Sequence, residues 1–156
     1  MGLKGSYMTK QRPLSSETVS EIERYLREIS NIVKRKGREI LNHFPITPPQ
    51  FDALLFLHNE GDMTIGELSQ KMFLACSTMT DLIDRMEKNG VVERVRDERD
   101  RRVVRIHLLE KGRDIIEEVL EARRAYLAEV FSHLSDEEAL EIKKHLSVLF
   151  EEMKKT

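Results

Sequence analysis

Apolar residues recur at helical spacing from about Ser16 to His43: Ile22, Leu26, Ile29 and Val33, then Ile40 and Leu41, with charges on the other face. This pattern predicts one long amphipathic helix that Pro45 ends. Thr47-Pro48-Pro49-Gln50 reads as a capping box with proline at the first helical position, opening a helix through Phe51, Leu54, Leu55 and Leu57 that stops at Gly61. Thr64-Ile65-Gly66-Glu67 is a second capping box and starts a short helix to about Met72. After a break at Phe73–Cys76, a further helix runs from about Ser77 to Asn89, and Gly90 suits a left-handed C-cap.

The period then changes from helical to alternating. Val92, Arg94 and Arg96, and later Val104, Ile106 and Leu108, alternate with their neighbours as strand residues do. Between them, Asp97-Glu98-Arg99-Asp100-Arg101-Arg102 is a polar hairpin tip. Helical spacing returns over roughly Lys111 to His133. A third capping box, Ser135-Asp136-Glu137-Glu138, opens a last helix carrying Leu140, Ile142, Leu146, Leu149, Phe150 and Met153. The expected fold is therefore mainly α with a small β-hairpin wing, a winged helix-turn-helix flanked by long helices. Four segments follow: a tail over 1–14, an N-terminal helical arm over 15–46, the winged unit over 47–109, and C-terminal helices over 110–156. The terminal helices carry more apolar stripe than the winged unit can cover, which predicts a twofold homodimer.

At 156 residues the chain fits one ordinary domain. Its single cysteine, Cys76, excludes an intramolecular disulfide and favours a reducing, cytoplasmic setting. No stretch approaches the ~18 apolar residues of a membrane span, and the first residues lack the apolar core of a secretory signal. Met1-Gly2-Leu3-Lys4-Gly5-Ser6 matches a myristoylation pattern that is too short and degenerate to carry weight.

The net charge of −2 counts against nucleic acid until it is mapped. Residues 94–105 hold Arg94, Arg96, Arg99, Arg101, Arg102 and Arg105 against Asp97, Glu98 and Asp100, a net of +3, which leaves −5 for the rest. Arginine's planar fork suits phosphates and narrow minor grooves. The neighbouring helix has Met79, Leu82, Ile83 and Met86 on one face. Its other face presents Ser77, Thr78, Asp81, Asp84, Arg85 and Lys88. The two hydroxyls at its start can reach phosphates or base edges, and Arg85 and Lys88 can neutralise backbone charge. Asp81 suits a cytosine amino group or the orientation of an arginine, whereas Asp84 reads as surface solvation.

From about Thr47 to Gly112 the sequence resembles the MarR family of winged-helix transcriptional regulators. The stretch Ser77-Thr78-Met79-Thr80-Asp81-Leu82-Ile83-Asp84-Arg85-Met86-Glu87-Lys88-Asn89-Gly90-Val91-Val92-Glu93-Arg94 is similar to the family's recognition helix and first wing strand. Asp97, Asp100 and Arg102 match its wing pattern, and Leu108 and Gly112 match the leucine and glycine before the next helix. The resemblance implies a homodimer on double-stranded DNA, a recognition helix in each major groove and a wing at each minor groove. It also implies that Arg102 borders the minor groove and that Asp100 braces it. The implied DNA-binding set is Ser77, Thr78, Thr80, Asp81, Arg85, Lys88, Arg94, Arg96, Arg99, Asp100, Arg101 and Arg102. Three positions depart from the family pattern: Ala75 and Leu109 stand where helix caps are usual, and Asp81 where a basic or small residue is common.

Many members of the family sense a small molecule, and Tyr25, Phe44, Phe51 and Phe56 are the apolar candidates for such a pocket, although core packing is their commoner use. The basic run Lys34-Arg35-Lys36-Gly37-Arg38 suits an anionic ligand or DNA, although a solvated helix face is the commoner use of such a run. Cys76 is a candidate redox switch, weighed against a small half-buried packing residue. The scattered His43, His58, His107, His133 and His145 show no metal-ligand spacing, so no metal and no cofactor is expected. No phosphate-binding glycine loop or nucleophile motif is present, which argues against an enzyme. The alternatives are a redox- or metal-responsive regulator of the same fold and a helical protein-interaction module that does not touch DNA.

Overall fold

Three helix starts are written directly into the local sequence. In the computed structural model, which describes residues 14–156, Thr47, Thr64 and Ser135 each accept a hydrogen bond from the backbone N–H three residues on. Gln50, Glu67 and Glu138 each reach back to the corresponding cap N–H, so all three boxes close reciprocally. The tail and the myristoylation pattern lie outside the described residues, apart from exposed Leu14.

In chain order the elements are α1 (Ser16–Leu41), α2 (Pro48–Glu60), β1 (Met63–Thr64), α3 (Ile65–Met72), α4 (Cys76–Lys88), β2 (Val92–Arg96), β3 (Val104–Leu108), α5 (Glu110–Phe131) and α6 (Asp136–Lys154). The fold class expected from the sequence is the one observed. Helix boundaries differ by one to two residues from the periodicity. The first helix ends at Leu41 in a turn ahead of Pro45, α4 begins at Cys76 rather than Ser77, and α5 runs from Glu110 to Phe131 rather than from Lys111 to His133. A third strand, β1, was not expected. It pairs antiparallel with β3 (Met63 opposite Ile106), so the hairpin becomes a three-stranded sheet in the order β1-β3-β2. Two residues are too few to show alternation, which is why pattern alone misses it.

The chain divides into two units, one ending at Glu39 and one spanning Ile40–Thr156. The first consists of most of α1. Ile22, Tyr25, Leu26, Ile29, Ile32 and Val33 are all exposed on it, at helical spacing. Tyr25 is 54% exposed beneath the Arg24 guanidinium, so the expectation that it is core does not hold within this unit.

The second unit contains the core. Phe51, Leu54, Leu68, Met79, Ile83, Met86, Val92, Ile106, Ile116 and Val119 are fully buried. Phe44 and Phe56 pack partly buried against this cluster. α2 packs on α3, α4, β3 and α5, while α3 and α4 pack on each other and on the sheet, α3 at β1 and β3 and α4 at β2. Gly112 lets α5 start close to the strand entry: a Cβ there would meet the Val91 carbonyl oxygen at 2.6 Å and Leu108 Cδ1 at 2.7 Å. No described helix is long and apolar enough to cross a membrane.

Candidate nucleic-acid interface

α4 shows one buried face and one open one. Met79, Ile83 and Met86 are fully buried, and Leu82 only partly. Ser77, Thr78, Asp81, Asp84, Arg85 and Lys88 are exposed on the other side, as the sequence predicts. Thr80 behaves differently: it is half-buried, and its hydroxyl donates to the Cys76 carbonyl at 2.8 Å, a bond within the helix. The helix N-cap is Ala75, extended in backbone and without a side-chain cap bond. At the other end Gly90 takes φ +73, which allows the chain to leave the helix and enter β2. The Lys111 ammonium donates to the Asn89 carbonyl at 2.8 Å and so satisfies one of the helix's terminal acceptors.

Cys76 is exposed, not half-buried. The early start of α4 makes it the first helical residue, and its sulfur lies 3.4 Å from the hydroxyl of buried Ser69.

The six arginines of the hairpin divide into two groups. Arg94 is bound to α4: its Nη1 donates to Glu87 Oε1 at 2.5 Å and its Nη2 to Asp84 Oδ1 at 2.6 Å, while its backbone N–H donates to Glu87 Oε2 at 3.2 Å. Burial works against the Arg94 charge, but the bonds to Asp84 and Glu87 outweigh it and raise the pKa above the ordinary arginine value. Asp84 is therefore a surface acid, as expected, that also forms one arm of a helix-to-wing clamp. Arg105 donates through Nε to Asp97 Oδ2 at 3.2 Å, and its Nη1 lies 3.5 Å from Glu67 Oε1. Arg96 donates to the Arg101 carbonyl at 2.8 Å and ties strand to tip. These three arginines hold the wing in shape.

Arg99, Arg101 and Arg102 form the second group, on the exposed tip. Two aspartates organise it. Asp97 Oδ1 accepts the backbone N–H groups of Arg99 (2.8 Å) and Asp100 (3.2 Å), fixing the turn. Those two bonds, then the one from Arg105, hold the Asp97 carboxyl below its ordinary value. Asp100 accepts two bonds from the Arg102 guanidinium, 3.0 Å from Nε and 3.1 Å from Nη2, and one from the Arg102 backbone N–H. The Arg102 side chain depresses the Asp100 pKa most, its backbone N–H second, and Arg102 is raised in turn. The Arg102 side chain is nevertheless 91% exposed. The guanidinium is held along one edge while its other edge faces solvent.

Elsewhere the expected residues do not converge. Phe51 is core, with the Arg123 guanidinium 5.0 Å above its ring, and Phe56 lines an open hollow of about 430 Å³ with Asp52, Leu55, Asn59, Lys71 and Met72. Burial pushes the Asp52 carboxyl up, opposed by nearby Arg123. Among the described residues no group of three or more His, Cys, Asp or Glu is placed to hold a metal ion, and His107 pairs with Asp62 at 2.8 Å. Sequence reasoning missed the clamp residue Glu87, and it placed Asp97 in the wing pattern without its role of fixing the turn. Glu87 stands between Met86 and Lys88, seven residues from Arg94, so nothing local in the sequence marks it as that arginine's partner.

A helix-turn-helix joined to a braced, arginine-tipped hairpin defines the winged-helix class of DNA-binding proteins. Residues 46–104 match the model of the MarR family. The chain is 59% identical over 139 residues to the uncharacterized HTH-type transcriptional regulator YsmB of Bacillus subtilis, covering 89% of this chain and 95% of that protein. Its fold is similar to a MarR family protein from Bacillus stearothermophilus, at 57% identity and TM-score 0.84, over 90% of this chain and 99% of that one. It is also similar to Streptococcus pneumoniae FabT, solved in complex with DNA, at 27% identity and TM-score 0.70, over 88% and 98% of the two chains. The chain belongs to the MarR family of DNA-binding transcriptional regulators, a family of regulators and not of enzymes.

Proposed function

We propose that the protein acts as a homodimer on a two-fold symmetric operator, in the cytoplasm, and represses by occupying that site. In this reading residues 47–109 read the DNA, and residues 15–46 and 110–156 dimerise. The observation that carries the DNA reading is the Asp100–Arg102 pair. It presents a pre-set cation at the tip of a wing in which Arg94, Arg96 and Arg105 are committed to structure. Holding the guanidinium in one pose lowers the ordering cost of binding. On this reading Ser77, Thr78, Asp81, Arg85 and Lys88 face the major groove, while Arg99, Arg101 and Arg102 reach the adjoining minor groove.

Exposed apolar residues support the dimer. One set is the stripe on α1, and a second, separate set comprises Leu127, Val130, Leu140, Leu146, Val148, Phe150 and Met153 on α5 and α6. Side chains of this size left in water at helical spacing fit an interface between identical copies. Release by a small-molecule effector completes the proposal, and the hollow beside Phe56 has the volume of a small-ligand site.

Selection of duplexes from a random-sequence library by the wild-type protein tests the whole reading. The expected product is an inverted repeat with half-sites about one helical turn apart, bound by two chains. Recovery of no enriched sequence, or of a site bound by a single chain, would contradict it.

A further inference from the structure

Phe73 combines two features that the fold does not require. It is 94% exposed, the most exposed large apolar side chain among the described residues. It is also the only described non-glycine residue with positive φ (φ 55°, ψ 41°), the left-handed region where glycine is favoured. The turn itself is made by backbone alone: the Phe73 N–H donates to the Gln70 carbonyl at 3.4 Å and the Leu74 N–H to the Ser69 carbonyl at 3.0 Å. Glycine would make the same bonds without steric cost. An aromatic ring is therefore kept in water, on a backbone that disfavours it, with no return from packing.

Its place in the chain points to the occupant. Phe73 is the C-cap of α3, in the turn that leads into α4, four and five residues ahead of Ser77 and Thr78. In helix-turn-helix docking the first helix crosses the sugar–phosphate backbone and the start of the second enters the major groove. The turn between them then lies at the rim of the groove. We propose that Phe73 is a DNA-contacting residue whose ring lies on a deoxyribose of the backbone at that rim, fixing how deeply α4 enters. This inference rests on the DNA-binding reading above. A sugar contact is apolar and carries no sequence information, so it adds affinity equally on every duplex and releases no counterion.

Phe73→Gly and Phe73→Leu test it, using a duplex selected by the wild-type protein and an unrelated duplex of equal length. Phe73→Gly is expected to lose at least tenfold affinity on both duplexes with an unchanged salt slope, while its melting temperature does not fall. Phe73→Leu, which keeps an apolar contact, should stay within about threefold of wild type. Binding of Phe73→Gly within twofold of wild type would overturn the proposal, as would a loss confined to the selected sequence. A lowered melting temperature or a changed oligomeric state in sedimentation would assign the ring to packing or to a second copy instead. If the wild type binds neither duplex, it is the DNA-binding reading that fails.

Discussion

Arg102 and Gly112 show how much one position can decide. Asp100 meets Arg102 across two residues of chain, so the brace is local and visible in the sequence. Its carboxyl lies below the ordinary value of 3.8, and so does that of Asp97. Carboxylates with depressed native pKa values contribute stability above the unfolded-state pKa and lose it as pH falls through the native one. The wing brace is therefore fully formed at neutral and mildly acidic pH and loosens only below about pH 4. Amide exchange at the Arg99, Asp100 and Arg102 N–H groups, followed by NMR, should stay protected down to that range and rise beneath it. At Gly112 the constraint is steric. A methyl group would press on the Val91 carbonyl, so Gly112→Ala is expected to destabilise by about 1–3 kcal/mol in urea unfolding. Cys76 and Tyr25 were harder to place from sequence, because exposure depends on what lies across from a residue and not on its own spacing.

Capping is the clearest link between sequence and structure at the level of the element. Three boxes in the sequence become three helix starts, since every partner lies within three residues. The two departures, Ala75 and Leu109, fall on the N-caps of α4 and α5, and neither makes a side-chain cap bond. Both have extended backbone, so a hydroxyl residue fits without rearrangement. Ala75→Ser and Leu109→Thr should each stabilise by about 1 kcal/mol, read as a shift in the urea midpoint at constant slope. The Arg94 clamp could not be read in the same way, because its partners lie seven and ten residues away and meet only when α4 and β2 are both in place. Arg94→Gln should leave two half-exposed acids unpaired beside the wing. The expected result is faster amide exchange in β2 and weaker DNA binding with an unchanged salt slope, whereas a phosphate contact would lower the slope by about 1.

For the whole molecule, the charge of −2 is the sum of a +3 hairpin and an acidic remainder, and the structure refines that division. Arg94, Arg96 and Arg105 are tied into the body of the wing, and Arg102 is paired with Asp100 but stays open to solvent, so the exposed arginine side chains of the tip are Arg99, Arg101 and Arg102. In the homodimer proposed above, an acidic body with two such tips should bind DNA in one pose and repel it in others. The apolar residues left in water on α5 and α6 belong to this scale too. If the proposed homodimer uses this face, the wild type sediments as a dimer and Phe150→Glu together with Leu146→Glu shifts it to monomer in sedimentation equilibrium while leaving the core of α2–α4 intact.

The most direct test is the salt dependence of binding to a selected duplex by the wild type and by Arg102→Ala. The account predicts a steep fall of log affinity with log salt for the wild type. For Arg102→Ala it predicts at least tenfold weaker binding at physiological salt and a slope shallower by about 1 for each wing. Equal affinity and equal slope for the two proteins would contradict the central claim that the braced arginine tip is a DNA contact.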